Sequence, residues 1–203
     1  MIYGTAIDSQ YLKDHIAKYK NVPLSDITAK DRGDVAFQLL GTHKQAAVDH
    51  VDREKRDYGN GVSTLVLVYN ATGDRISVHD SYSWHGHFYS EAPDETVENG
   101  QWSSFLHVHT SGAAVGSKAA TIYRSAADTD MFVGWESPWS GTPSVYADSQ
   151  KKDYWWDVSS KDSMGDQIDD GGSRSDFKGE GFELLMDIGD STSPYCNAIL
   201  RKN

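Results

Sequence analysis

Apolar residues recur at helical spacing in roughly the first sixty positions and at strand spacing in the ninety that follow, so the chain reads as a helical lead and a sheet-forming body. Over residues 9–20, Leu12, Ile16 and Tyr19 fall on one side while Lys13, Asp14 and Lys18 take the others, which predicts a short amphipathic helix. Thr28 ahead of Asp31 is a capping arrangement for a second helix, and Gly41 after Leu39 and Leu40 offers its stop; Gly33 is an awkward interior residue for it. Residues 42–58 have few apolar positions, Ala47, Val48 and Val51, and predict a surface helix ended by Gly59, Asn60 and Gly61.

The run VSTLVLVY over residues 62–69, a turn through Ala71, Thr72, Gly73 and Asp74, and the alternating RISVHD over 75–80 predict a hairpin. Further strands are expected at 84–89, 101–110, 119–124, 131–136 and 144–147, each bounded by turn residues. Residues 153–164 predict a helix carrying Trp155, Val158 and Met164, then a polar glycine-rich loop over 165–181 and a closing strand over 181–188. The fold class is α+β: one domain over 1–203, with a helical segment (1–60) packed on an antiparallel β-sandwich core (61–150), and a C-terminal helix, loop and strand (151–203).

Charge narrows the partners. A net charge of -11, with 19 basic residues that form no long run, argues against a nucleic acid and against anionic membrane surfaces. Cys196 is the single cysteine, so no internal disulfide or CxxC metal site can form. The first residues lack the basic start and apolar centre of a secretory signal, and no apolar run approaches the ~20 residues of a membrane helix. These features predict a cytoplasmic protein with no transmembrane segment. The sequon at Asn70, Ala71 and Thr72 then stays unmodified and serves as a turn.

Candidate chemistry centres on residues 83–110. His85 with His87, and His107 with His109, are spaced two apart, so each pair would share a face of a strand and two neighbouring strands could offer four nitrogens to a divalent metal ion. No other cofactor is called for. His85, His87 and Glu91 also match the H-x-H-x-x-x-E spacing of a cupin metal motif, but the glycine ahead of it and the second motif are missing. G-x-S-x-G, G-x-G-x-x-G and G-x-x-x-x-G-K-S patterns are absent, which argues against hydrolase and nucleotide chemistry, and the acidic residues Asp166, Asp169, Asp170 and Asp176 do not keep the EF-hand register. The chain therefore reads as non-enzymatic. Aromatic residues give the binding case: Tyr82, Trp84, Trp102, Trp135 and Trp139 crowd turn-rich stretches, where flat rings stack on sugars or enter a lipid interface. Most such rings belong in a core, so one or two are expected to be exposed.

The stretches LVYNATGD, WHGH, NGQWSSFLHV, TSGAAVGSKAATIYR, WESPW and DSTSP, with DITAKDR and YGNG nearer the start, resemble the 23 kDa jasmonate-induced proteins of plants over nearly the whole chain. That resemblance implies a stress- or defence-associated protein and brings no catalytic residues. W-x-G-x-F-Y at Trp84 and W-x-x-P-W at Trp135 resemble the aegerolysins over the middle of the chain. This second likeness implies an actinoporin-like sandwich that binds a carbohydrate or a lipid headgroup through aromatic loops, with Tyr82, Trp84, Trp135 and Trp139 as the ligand rim. The alternatives are a His-ligated metalloprotein and a storage protein with no ligand.

Overall fold

The unbroken apolar run at residues 65–69 has a structural cause: the strand that carries it, over residues 63–71, is covered on both faces. A computed structural model describes residues 1–155 and 158–203. In chain order it contains β1 (Ile2–Tyr3), α1 (Ser9–His15), α2 (Ala29–Gln38), α3 (Lys44–Tyr58), β2 (Ser63–Ala71), β3 (Ile76–His85), β4 (His87–Phe88), β5 (Thr96–Val97), β6 (Trp102–Val108), β7 (Ser117–Ser125), β8 (Thr129–Ser137), β9 (Ser144–Lys151), α4 (Val158–Asp169), β10 (Arg174–Gly179), β11 (Phe182–Ile188) and β12 (Tyr195–Lys202). A seven-stranded sheet runs β1-β6-β2-β12-β11-β10, with β4 sharing the outer edge of β6; a five-stranded sheet runs β5-β3-β7-β8-β9. Four layers result. Val66, Val68, Phe105, Tyr123, Met131 and Trp135 lie in the core between the sheets, Leu65, Leu67, Tyr69, Trp102 and Leu106 meet the N-terminal helices, and Phe132 and Ile122 meet α4. A strand buried on both faces needs apolar residues at every position, not alternate ones.

The α+β sandwich with helices packed on it stands, but its wiring departs from the sequence reading. The segments read as a hairpin, β2 and β3, lie in opposite sheets. Both edges of β2 are taken, by β6 antiparallel and by β12 parallel, so β3 cannot pair with it and the chain turns a corner between layers. That β2–β12 pair is also the exception to an otherwise antiparallel fold. Residues 165–181, read as a loop, contain the end of α4 and β10, and the unpredicted β12 sits mid-sheet, so the sandwich extends beyond residues 61–150. The helix expected over 153–164 begins at Val158; the part of it that falls on 156–157 lies outside the described residues.

The corner is plugged by Asn70, whose amide donates to the Asp74 and Val97 carbonyls at 2.8 Å while its Oδ1 accepts from Thr72 N and Oγ1. Asn70 is fully buried. Helix α2 then lands on this corner: the capping box of Thr28 and Asp31 forms as predicted, and Arg32 donates to Gly73 O at 2.6 Å and pairs with Asp74 at 2.5 Å. Gly33 is the contact point, since a Cβ there would lie 2.6 Å from Ala71 O. Its place inside the helix is a packing requirement.

Candidate functional site: an aromatic rim at one end of the sandwich

At the end of the sandwich where β2 begins and β6 stops, four rings form a ladder. Tyr89 meets Tyr58 at 5.3 Å between centroids, Tyr58 meets His109 at 6.2 Å, and His109 meets Trp139 at 5.4 Å. The chain emerges here because α3 ends at Gly59 and β6 at Val108, and the loop after β8 carries Pro138 and Trp139 out of the sheet. Lys55 fixes the base: its ammonium donates to Gly59 O and Gly61 O at 2.8 and 2.9 Å and lies 5.0 Å over the Tyr58 ring. Burial pushes its pKa down. Trp139 is 51% exposed, and it ends the ladder in solvent.

Behind the rim lies a buried polar knot. His107 points between the sheets, with Nδ1 2.8 Å from Ser117 Oγ and Nε2 3.0 Å from Ser83 Oγ, while Thr64 Oγ1 is 2.8 Å from Ser117 Oγ. A neutral imidazole has one donor and one acceptor, and serine hydroxyls can satisfy either. Desolvation, with the nearby His87 acting in the same direction, pushes the His107 pKa down to about 3, so the ring stays neutral.

The five aromatic residues singled out by sequence separate into three groups. Trp139 is at the rim. Tyr82 and Trp84 touch each other at 4.9 Å, but on the outer face of the five-stranded sheet, partly covered by α4. Trp102 and Trp135 are fully buried, the first beneath the N-terminal helices with its Nε1–H donated to Leu40 O, the second in the core against Phe105. Neither can belong to a rim, because layers cover both faces of each sheet. Sequence reading missed Tyr58, whose signal was an aromatic side chain at the last helical position before Gly59.

The four-histidine metal site does not assemble. His85 pairs with Lys118 in the five-stranded sheet, while His87 pairs with Val108 in the other. The break is Gly86, at φ 93°, where a Cβ would lie 2.2 Å from Val108 O. Strand alternation therefore fails across HGH, and His107 has both nitrogens engaged. Among the described residues, the ligand atoms that converge belong to His79, Asp130 and Asp153, within 4.8 Å of one another. Arg124 already supplies the cation there: it grips Asp130 through Nε and Nη2 at 2.7 and 2.8 Å and reaches Asp153 at 2.6 Å.

Comparison with known proteins finds relatives in sequence and in fold along the chain. The "23 kDa jasmonate-induced protein" of Hordeum vulgare is 34% identical over 208 residues, covering 95% of this chain and 93% of that protein. The crystal structure of "lipid binding protein Nakanori" superimposes with a TM-score of 0.94 at 33% identity, covering both chains fully. The Xerocomus chrysenteron lectin XCL superimposes less closely, with a TM-score of 0.49 and 13% identity over 68% of this chain and 98% of that one. The family model described as "Nakanori-like protein" matches residues 3–203, and the chain belongs to that family.

Proposed function

We propose that this chain is a non-enzymatic protein that attaches to a membrane surface by taking a lipid headgroup at the rim of Trp139, His109, Tyr58 and Tyr89. The observation that carries the reading is the half-exposed indole of Trp139 at the end of an ordered ring ladder, on a chain whose relative along its full length is described as lipid-binding. A rigid aromatic ring with one face wet is suited to the headgroup region, where its apolar body and polar N–H are both accommodated. No described helix is long and apolar enough to cross a membrane. The net charge of -11 favours a zwitterionic surface over an anionic one.

Sedimentation with phosphatidylcholine vesicles, and with the same vesicles containing an acidic lipid, tests this. Burying the exposed half of an indole removes about 100 Å² of apolar surface, worth about 2–3 kcal/mol. Trp139→Ala should then weaken vesicle binding on the order of fiftyfold or more with an unchanged Tm. Wild-type protein that stays in the supernatant with both vesicle types, or a W139A variant that binds equally well, overturns the proposal. Glycan-array binding lost in W139A would instead assign the rim to a carbohydrate.

A further inference from the structure

Helix α4 has little reason to form on its own. Its twelve residues, VSSKDSMGDQID, place Gly165 in the interior among serines and aspartates, and its last turn carries no basic residue. Asp166 and Asp169 stand at the negative end of the helix dipole. Docking must hold it. Met164 and Ile168 pack on the outer face of the five-stranded sheet with Phe132 and Trp155, and Gly134 lets Ile168 approach, since a Cβ there would lie 2.7 Å from Ile168 Cδ1. Gly165 rests on the Trp84 indole. Lys161 pairs with Asp80 at 2.5 Å and places its ammonium 5.3 Å over the Tyr82 ring.

Beneath the C-terminal end of α4 runs one polar row across four strands: His85 opposite Lys118, Lys118 opposite Glu136, and Glu136 opposite Ser144. Directly opposed residues share a face. Three of the four have a link to α4: Ser144 Oγ donates to Ile168 O at 2.7 Å, Lys118 pairs with Asp169, and Glu136 hydrogen-bonds to Asp169. Lys118 also lies 5.7 Å over the Trp84 ring. A hydrogen bond between two carboxyl groups needs a proton. With it, one ammonium faces one carboxylate; without it, one ammonium faces two.

We infer that α4 is a proton-latched cover over Tyr82 and Trp84, held down while the Glu136 and Asp169 carboxyls share a proton and loosened when that proton leaves. Burial, followed by the Asp169 hydrogen bond, raises the Glu136 carboxyl to about 7 against the opposing charge of Lys118. Burial acts to raise Asp169 too, but hydrogen bonds from Lys118 and Glu136 outweigh it and hold Asp169 below its ordinary value. Because docking raises Glu136 from its ordinary 4.5, the docked form holds the proton more tightly. The Glu136 share of docking is fully present below its ordinary 4.5 and is lost as pH climbs through about 7, whereas the lowered Asp169 withdraws its share only as pH falls below its ordinary 3.8, so docking weakens from about pH 5 upward. The ionisable groups facing this latch are Lys118 from β7, Asp169 from α4 and His85 from β3; Ser144 from β9 is neutral.

Hydrogen exchange on the full chain at about pH 5 and about pH 8, with rates corrected for intrinsic chemistry, reads the latch directly. A tenfold difference in proton affinity is a tenfold change in docking, so the amides of 161–169 should lose about tenfold or more in protection at the higher pH while β7 and β8 keep theirs. Glu136→Gln keeps a hydrogen bond to Asp169 without a titrating group and should leave α4 equally protected at both values; Asp169→Asn should flatten the dependence as well. Protection of α4 that is the same at both values in the wild type overturns the inference. So does a Glu136→Gln protein that still loses tenfold, which would place the pH response outside the Glu136 and Asp169 pair. Should Glu136→Gln leave β7 and β8 unprotected, Asp169→Asn decides in its place.

Discussion

Lowering the pH should attack the molecule at His107, behind the rim. Its ring is fully buried between the sheets, and its pKa drops from the ordinary 6.5 to about 3. The unfolded chain therefore takes up a proton that the folded one refuses. Stability from this residue is fully present above about pH 6.5 and is lost as pH falls toward 3. At pH 4.5 the penalty has grown across two pH units, about 2.7 kcal/mol at 1.36 kcal/mol each. His50, also held below its ordinary value chiefly by burial, adds to the slope, whereas the raised Glu136 opposes it. A double difference separates these contributions. Guanidinium unfolding of wild type and His107→Gln at about pH 7 and pH 4.5 should show the variant less stable at pH 7, where its contacts to Ser83 and Ser117 are imperfect, yet losing about 2–3 kcal/mol less than wild type on acidification. If the two proteins decline in parallel, His107 is not the acid-sensitive group, and the neutral knot that orders Ser83, Ser117 and Thr64 is wrongly described.

Two further substitutions probe the scaffold that carries the rim. Gly73 sits at φ 88°, and a Cβ there would lie 1.9 Å from Ala29 O, so Gly73→Ala should push α2 off the β2 corner and lower stability by about 3 kcal/mol or more, read by thermal unfolding. Trp102→Ala empties a site packed against Tyr69 at 4.9 Å and removes the hydrogen bond to Leu40 O; a loss of about 3–5 kcal/mol in denaturant unfolding is expected, and a folded variant should keep its vesicle binding, since Trp102 is no part of the rim.

Local signals were legible where local physics decides. The capping box of Thr28 and Asp31, the polar face of α3, and the strands β6 to β9 follow from side-chain period and from turn residues next to them. The wiring was not legible, because it rests on partners far away in sequence. Nothing near Asn70 announces that β12, which begins at Tyr195, will occupy the edge of β2 that a hairpin would use. Once it does, the turn-like residues Asn70 to Asp74 serve as a corner and their side chains supply the hydrogen bonds that a hairpin ladder would have made.

The same four layers explain why tryptophan position misled. Alternation along a strand separates inside from outside only when one face of the sheet meets water. Here Trp102 and Trp135 point to opposite kinds of interior, one under helices and one between sheets, and both would look alike in a period-two reading. The stretch WESPW shows the consequence within five residues. Trp135 is core, Glu136 joins the row beneath α4, Ser137 is buried, and only after Pro138 turns the chain does Trp139 meet solvent. NGQWSSFLHV is likewise almost wholly buried, and in LVYNATGD the side chains through Gly73 are interior. Motifs of this kind identify the fold because they build it, so likeness in them says little about what is bound. Differences in ligand between members of the family should therefore be sought in the rim loops around Tyr58, His109 and Trp139, and in whether α4 leaves Tyr82 and Trp84 open.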